Sequence, residues 1–218
     1  MPSDVAGLPL GGVGLTVPAM CATTPFAATL LDEVRACTLC TRYLPHGPRP
    51  VLQFHPSARI LIAAQAPGRK VHETGIPFND ASGDRLRNWL GVSREQFYNP
   101  ELFAIVPMGL CYPGKGPSGD LPPRPECAPQ WRVPLLDALQ QVRLTLVIGQ
   151  YAMAYHLPEE RAGVTAAVRN WRRYGPALVP LPHPSPTNNR WFARNTWFGQ
   201  EVLPYLRERV KEVLSDRE

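Results

Sequence analysis

Four of the five cysteines stand in a pattern that suits metal chemistry: Cys37-x2-Cys40 and, 70 residues further on, Cys111-x15-Cys127. Two closely spaced thiolates form one edge of a metal site, and a second pair on a loop can fold back to complete it. The loop from Cys111 to Cys127 holds five prolines, which stiffen it. Spacing alone leaves three readings open: four unrelated buried thiols, a four-cysteine zinc site, or an iron-sulfur cluster. A single C-x2-C with a widely spaced second pair departs from most zinc ribbons and favours the cluster.

Two further groups of residues have chemical potential. Ala64-Gln65-Ala66-Pro67-Gly68 follows a short apolar run and leads to Thr74-Gly75-Ile76-Pro77-Phe78. Small residues there let backbone N–H groups approach a flat ligand, and Phe78 on a loop can stack on one; taken alone, the A-P-G is an ordinary strand-to-loop turn. His183-Pro184-Ser185-Pro186, followed by Asn189 and Arg190, presents an imidazole between prolines at another strand end. Such a ring can donate a hydrogen bond to developing negative charge, although a lone histidine is more often structural.

The elements that must position these residues follow from hydrophobic patterning. Apolar runs at 59–64, 103–108, 144–149 and 177–181 read as buried strands, with helical patterns at 82–90, 128–139, 150–156, 162–174 and 197–213. Alternation of strand and helix predicts an α/β protein: a three-layer α/β/α sandwich around a short four-stranded parallel sheet. In such sheets ligands bind at the carboxyl ends of the strands, where the motif loops leave. Residues 1–27 carry almost no charge and no periodicity and read as a loosely packed tail containing Cys21, before a domain of 28–218.

Composition sharpens this. Of 218 residues 26 are proline, more than twice the usual ~5%, which excludes coiled coils, helical bundles and long central strands. Net charge is +5, carried by twenty arginines against three lysines, which permits a polyanionic partner without requiring one. Arg169, Arg172 and Arg173 fit a solvated helix face better than a phosphate-contacting patch. The aromatic residues Trp191, Phe192, Trp197 and Phe198 suit an anchor for the last helix better than insertion into DNA. No apolar run reaches the roughly 18 residues of a membrane span, and the first basic residue is Arg35, so no positive leader precedes it. The expectation is a cytoplasmic monomer.

In order and spacing, C-x2-C, A-P-G, T-G-x-P-F, the second cysteine pair and H-P-S resemble the uracil-DNA glycosylase superfamily, nearest its iron-sulfur-containing family 4 branch. The resemblance runs from about residue 30 to the C-terminus. It implies a [4Fe-4S] cluster on Cys37, Cys40, Cys111 and Cys127, with zinc as the lesser alternative. It also implies a pocket for a base flipped from single- or double-stranded DNA, built from Ala66, Pro67, Gly68, Phe78 and Pro107. Phe78 would stack on the base, His183 would bond its carbonyl oxygen, and Ser185, Asn189 and Arg190 would press on the DNA backbone.

The chemistry implied is hydrolysis of the N-glycosidic bond of a damaged or deaminated base in DNA repair. The family's first loop typically reads G-E-A-P-G-x-x-E-D. This chain has Ala64, Gln65, Val71 and His72 at the corresponding positions, so water would fall to His72 or Glu73, helped by Gln65. By register, Pro107 replaces a base-reading asparagine, which relaxes selectivity. The alternative is a non-catalytic nucleic-acid or nucleobase-binding iron-sulfur protein that has lost uracil excision.

Overall fold

The computed structural model describes residues 25–117 and 119–215. The elements are α1 (Pro25–Arg35), β1 (Ile60–Ala63), α2 (Arg69–Thr74), α3 (Ala81–Leu90), α4 (Arg94–Phe97), β2 (Phe103–Ile105), the hairpin strands β3 (Lys115–Gly116) and β4 (Gly119–Asp120), α5 (Cys127–Asp137), β5 (Leu144–Ile148), α6 (Gly149–His156), α7 (Val164–Arg169), β6 (Leu178–Leu181), α8 (Asn189–Arg194) and α9 (Leu203–Ser215). The boundary expected at residue 27 falls inside α1; Cys21 lies outside the described residues.

The expected sheet is present: four parallel strands in the order β2-β1-β5-β6. Alternate residues of β1 and β2 feed two separate cores. Ile60, Ile62, Phe103 and Ile105 pack with Leu86 and Leu90 of α3, Met153 of α6, Val168 of α7 and Leu206 of α9. Leu61, Ala104 and Val106 point to the other side, against Leu30 and Val34 of α1 and Leu135 of α5. A sheet buried on both faces needs apolar residues at every strand position, which is why the strands read as continuous apolar runs rather than alternating ones.

Proline placement follows the hydrogen-bond ladder. The central strands β1 and β5 contain none, and Pro180 lies in the edge strand β6. On the opposite edge, Val106 and Met108 donate to Ile62 and Ala64 at 3.0 and 2.8 Å, so the missing N–H of Pro107 falls between two ladder bonds and breaks neither. Regular strand geometry nevertheless ends at Ile105, three residues short of the predicted end.

The helix expected over 162–174 is instead α7 followed by a 3-10 turn, Trp171–Arg173. The last helix opens with a π-helical turn, Phe198–Val202, before α9. Pro204 lacks the N–H that would continue regular bonding there. Trp191 meets Phe192 and Phe198 edge-on, and these two meet Trp89 of α3 edge-on, so the cluster anchors the C-terminal segment to α3 rather than directly to the sheet. Arg172 pairs with Glu201 and Arg169 lies over Trp197.

The most deeply buried cation of this frame, among the described residues, is an arginine. Arg132 of α5, 2% exposed, donates through Nη1 to Val106 O at 2.6 Å and through Nη2 to His156 Nε2, with its guanidinium over the Tyr155 ring. Burial and the adjacent guanidinium push the His156 pKa down to about 4, against about 6.5 for the unfolded chain. Between those values the unfolded chain binds more protons than the folded one, so stability is full above about pH 6.5 and falls as pH drops toward 4. Denaturant unfolding of His156→Gln between pH 4 and 7 will show a shallower pH dependence than that of the parent protein.

Candidate active site and cysteine pocket

A cleft of about 760 Å³ opens at the carboxyl ends of the strands. Every strand of the main sheet contributes to it: Gln65, Ala66, Pro67 and Gly68 follow β1, Pro107 follows β2, Gly149 and Gln150 follow β5, and His183 follows β6. Chain direction explains the location. β2 lies on one side of β1 and β5 on the other, so the connections diverge there and leave a crevice between them.

Phe78 lines the cleft in a strained backbone state. At φ +52° it is the sole non-glycine residue of positive φ among the described residues, a conformation costing about 1–3 kcal/mol. The surroundings enforce it. Arg87 donates to Phe78 O at 3.4 Å, Tyr98 Oη donates to Pro77 O at 2.9 Å, and the phenyl ring stands edge-on to Phe97. From below, Gly83 presses its backbone so close that a Cβ there would lie 1.7 Å from Phe78 O. Asp80 caps α3 by accepting from Gly83 N at 2.9 Å, which fixes that approach.

His183 is equally constrained. The Ser185 N–H donates to its Nδ1 at 3.2 Å, and Asn188 Nδ2 donates to its carbonyl oxygen at 2.8 Å. With Nδ1 accepting, the neutral ring carries its proton on Nε2, the nitrogen left for a ligand. Burial lowers the His183 pKa, while the carboxylates of Asp80 and Asp120 act in the opposite direction. The ring is therefore a neutral donor at neutral pH.

The other candidates are distributed unevenly. Gln65 and Pro107 line the cleft; His72 and Glu73 do not. Glu73 pairs with Arg69 at 2.9 Å on the exposed side of α2, and His72 packs with His46 and Tyr112. Ser185 caps the 3-10 turn Pro186–Asn188 through its hydroxyl, Asn189 accepts from Arg85 at 2.9 Å, and Arg190 is exposed. Arg85 also donates to Ser185 O at 3.2 Å, so it moors the histidine loop to α3. Sequence reasoning overlooked Arg85, Asn188 and Asp120, since nothing in their local spacing marks them.

All four motif cysteines line a second pocket, with Leu44, Leu110 and Trp131. Backbone or indole N–H groups reach three of the sulfurs: Leu110 N to Cys127 at 3.3 Å, Trp131 Nε1 to Cys37 at 3.2 Å, and the Arg49 backbone to Cys111. Burial pushes the Cys111 and Cys127 thiols up to about 11 and about 12. Burial thus favours the neutral thiol form of both. Among the described residues no three His, Cys, Asp or Glu side chains converge closely enough to grip a single ion.

This geometry defines an α/β protein with one cleft at the carboxyl ends of its strands, lined by an aromatic side chain and an imidazole. A family model described as the uracil DNA glycosylase superfamily matches residues 52–207. The match covers well over half of the chain, including the whole sheet, both cleft walls and the second cysteine pair, and the chain belongs to that superfamily. Among the described residues no helix is long and apolar enough to cross a membrane.

The Phe78 clamp can be tested directly. Gly83→Ala must displace the Phe78 carbonyl, and overpacking of this kind costs about 1–3 kcal/mol. The melting temperature will fall by at least roughly 3 °C; an unchanged melt would remove the clamp as an explanation of the strained turn.

Proposed function

We propose that the protein is a DNA glycosylase that hydrolyses the N-glycosidic bond of a flipped, damaged or deaminated base. The observation that carries this is His183: a neutral imidazole with Nδ1 tied to the Ser185 N–H, held in the cleft that Phe78 also lines. As the glycosidic bond breaks, negative charge moves onto the base and positive charge onto the sugar. A fixed Nε2–H aimed at a base carbonyl stabilises that anion more than it stabilises the neutral base, so it lowers the barrier rather than merely tightening binding. Phe78 supports the ring face. Pro107 offers no side-chain amide to read the base edge, so discrimination among deaminated bases is weak.

On the DNA side, Ser185 lies on the loop beyond His183 and Asn189 and Arg190 open α8, with Arg85 of α3 bracing that segment. Arg190, in the first turn of α8, is exposed and suited to a phosphate contact whose strength falls with salt.

The cysteine pocket is read as a cluster site because all four motif cysteines line it and N–H groups face the sulfurs of Cys37 and Cys127. Cys37, Cys40, Cys111 and Cys127 would hold a [4Fe-4S] cluster. When bound it would supply cross-linking between the segment after α1 and the loop before α5, and we assign it no redox step. Protein purified anaerobically will contain about four iron atoms per chain and absorb in the visible range, and Cys111→Ser will lose most of both. A colourless protein with one zinc would overturn the cluster.

The activity is tested by incubating purified protein with single- and double-stranded oligonucleotides carrying uracil, hypoxanthine, xanthine or no lesion. Binding and abasic-site formation are both followed. Excision of at least one deaminated base, reduced about 10²–10³-fold in His183→Ala, is the expected result. Binding without release of any base would instead establish a non-catalytic nucleic-acid-binding protein.

A further inference from the structure

We propose that Asp120, on the hairpin between the second pair of cysteines, is the carboxylate that holds and deprotonates the hydrolytic water. This rests on the glycosylase reading above and assigns the group which that reading leaves unnamed. Among the described residues, the acidic side chains lining the cleft are those of Asp80 and Asp120. Asp80 is committed elsewhere: its Oδ1 accepts the Gly83 N–H as the cap of α3, two residues from Phe78 and thus on the wall that holds the base.

Asp120 approaches from a different element. It ends β4, which pairs with β3 in antiparallel fashion, Lys115 opposite Asp120. Its Oδ2 reaches over the loop after β1, 3.3 Å from the point a Cβ on Gly68 would occupy, and its Oδ1 accepts from Tyr112 Oη at 3.4 Å. Tyr112 is buried, so that anchor is fixed. The hairpin is moored to the same loop by a second contact. Gln65 Nε2 donates to Leu121 O at 3.3 Å, and Leu121 N closes the hairpin on Gly114 O at 2.9 Å. Gln65 cannot take up a proton, and its amide serves to hold the neighbour of a residue that can.

The roles separate cleanly. The base leaves along the wall of Phe78 and His183, and water must reach the anomeric carbon from the other side of the sugar. The water oxygen bonds to that carbon, the carbon–nitrogen electron pair departs with the base toward His183 Nε2–H, and Asp120 takes the water proton. That proton then passes to solvent or to the released base anion. Asp120 lies on a short exposed hairpin outside both hydrophobic cores, so its replacement leaves the core intact.

The test uses full-length wild-type protein, Asp120→Asn, Asp120→Ser and Asp80→Asn. Single-turnover base release and equilibrium binding are measured on a single-stranded oligonucleotide carrying uracil or hypoxanthine, whichever the wild type excises faster. Loss of a positioned base costs about 10²–10⁴-fold. The proposal expects both Asp120 variants to lose at least roughly 100-fold in base release, with DNA affinity within about threefold of wild type and an unchanged melting temperature. A smaller loss in a variant that melts normally, or a parallel loss of affinity, overturns the assignment while leaving the glycosylase reading intact. A hundredfold loss in Asp80→Asn with Asp120→Asn near wild type transfers the role to Asp80 and also overturns it. A wild type that binds but releases neither base overturns the glycosylase reading and this assignment with it.

Discussion

The parallel ladder β2-β1-β5-β6 is the constraint on which the site depends. Its four strands run in one direction and are at most five residues long, so their carboxyl ends open side by side into one cleft. Edge and centre are treated differently. β1 and β5 donate and accept along both sides and are free of proline, whereas the edges carry Pro180 and, just past β2, Pro107. A chain so rich in proline can build such a sheet because the ladder leaves unused donors only at its margins.

Strain and rigidity are distributed around that cleft with a consistent logic. Phe78 is held in an unfavourable backbone state by Gly83, Arg87 and Tyr98, while Ser185 fixes the tautomer of His183 and Asn188 holds its backbone carbonyl. Each costs ordering free energy before any ligand arrives, and that cost is met by contacts within the α3 segment and the loop after β6. A preorganised pair of this kind spends little binding energy on rearrangement when it takes a ligand. Arg85 of α3 bonds the loop after β6, so the segment that carries Phe78 and the loop that carries His183 are tied together.

Much of this was legible in the sequence, and the remainder was hidden for physical reasons. Buried strands announce themselves by continuous apolar runs, and all four were found within a few residues, as were α3, α5 and α6. Phe78 and His183 were visible because proline and glycine bracket them. The four-residue α4 was missed although its Ser93–Gln96 capping box is written in the sequence, since one turn is too short for a period to register. The hairpin bearing Asp120 was missed for a deeper reason. Its strands are two residues each and mostly exposed, and its approach to Gly68 depends on a contact between residues more than fifty positions apart. Spacing along the chain does encode the four cysteines' shared pocket, because proline limits how the intervening loop can close.

Arg132 has an effect of a different kind. Its charge is sealed behind the end of β2, one residue from the Pro107 that lines the cleft, and among the described residues no carboxylate pairs with it. Mobile ions cannot enter a packed core, so the positive potential it sets up there is nearly independent of ionic strength. The arginines on the outer loops work under the opposite regime, their pull on a phosphate chain fading as salt rises. The molecule thus holds two electrostatic systems of opposite salt sensitivity: an outer one at the exposed arginines, and an inner one fixed by the fold.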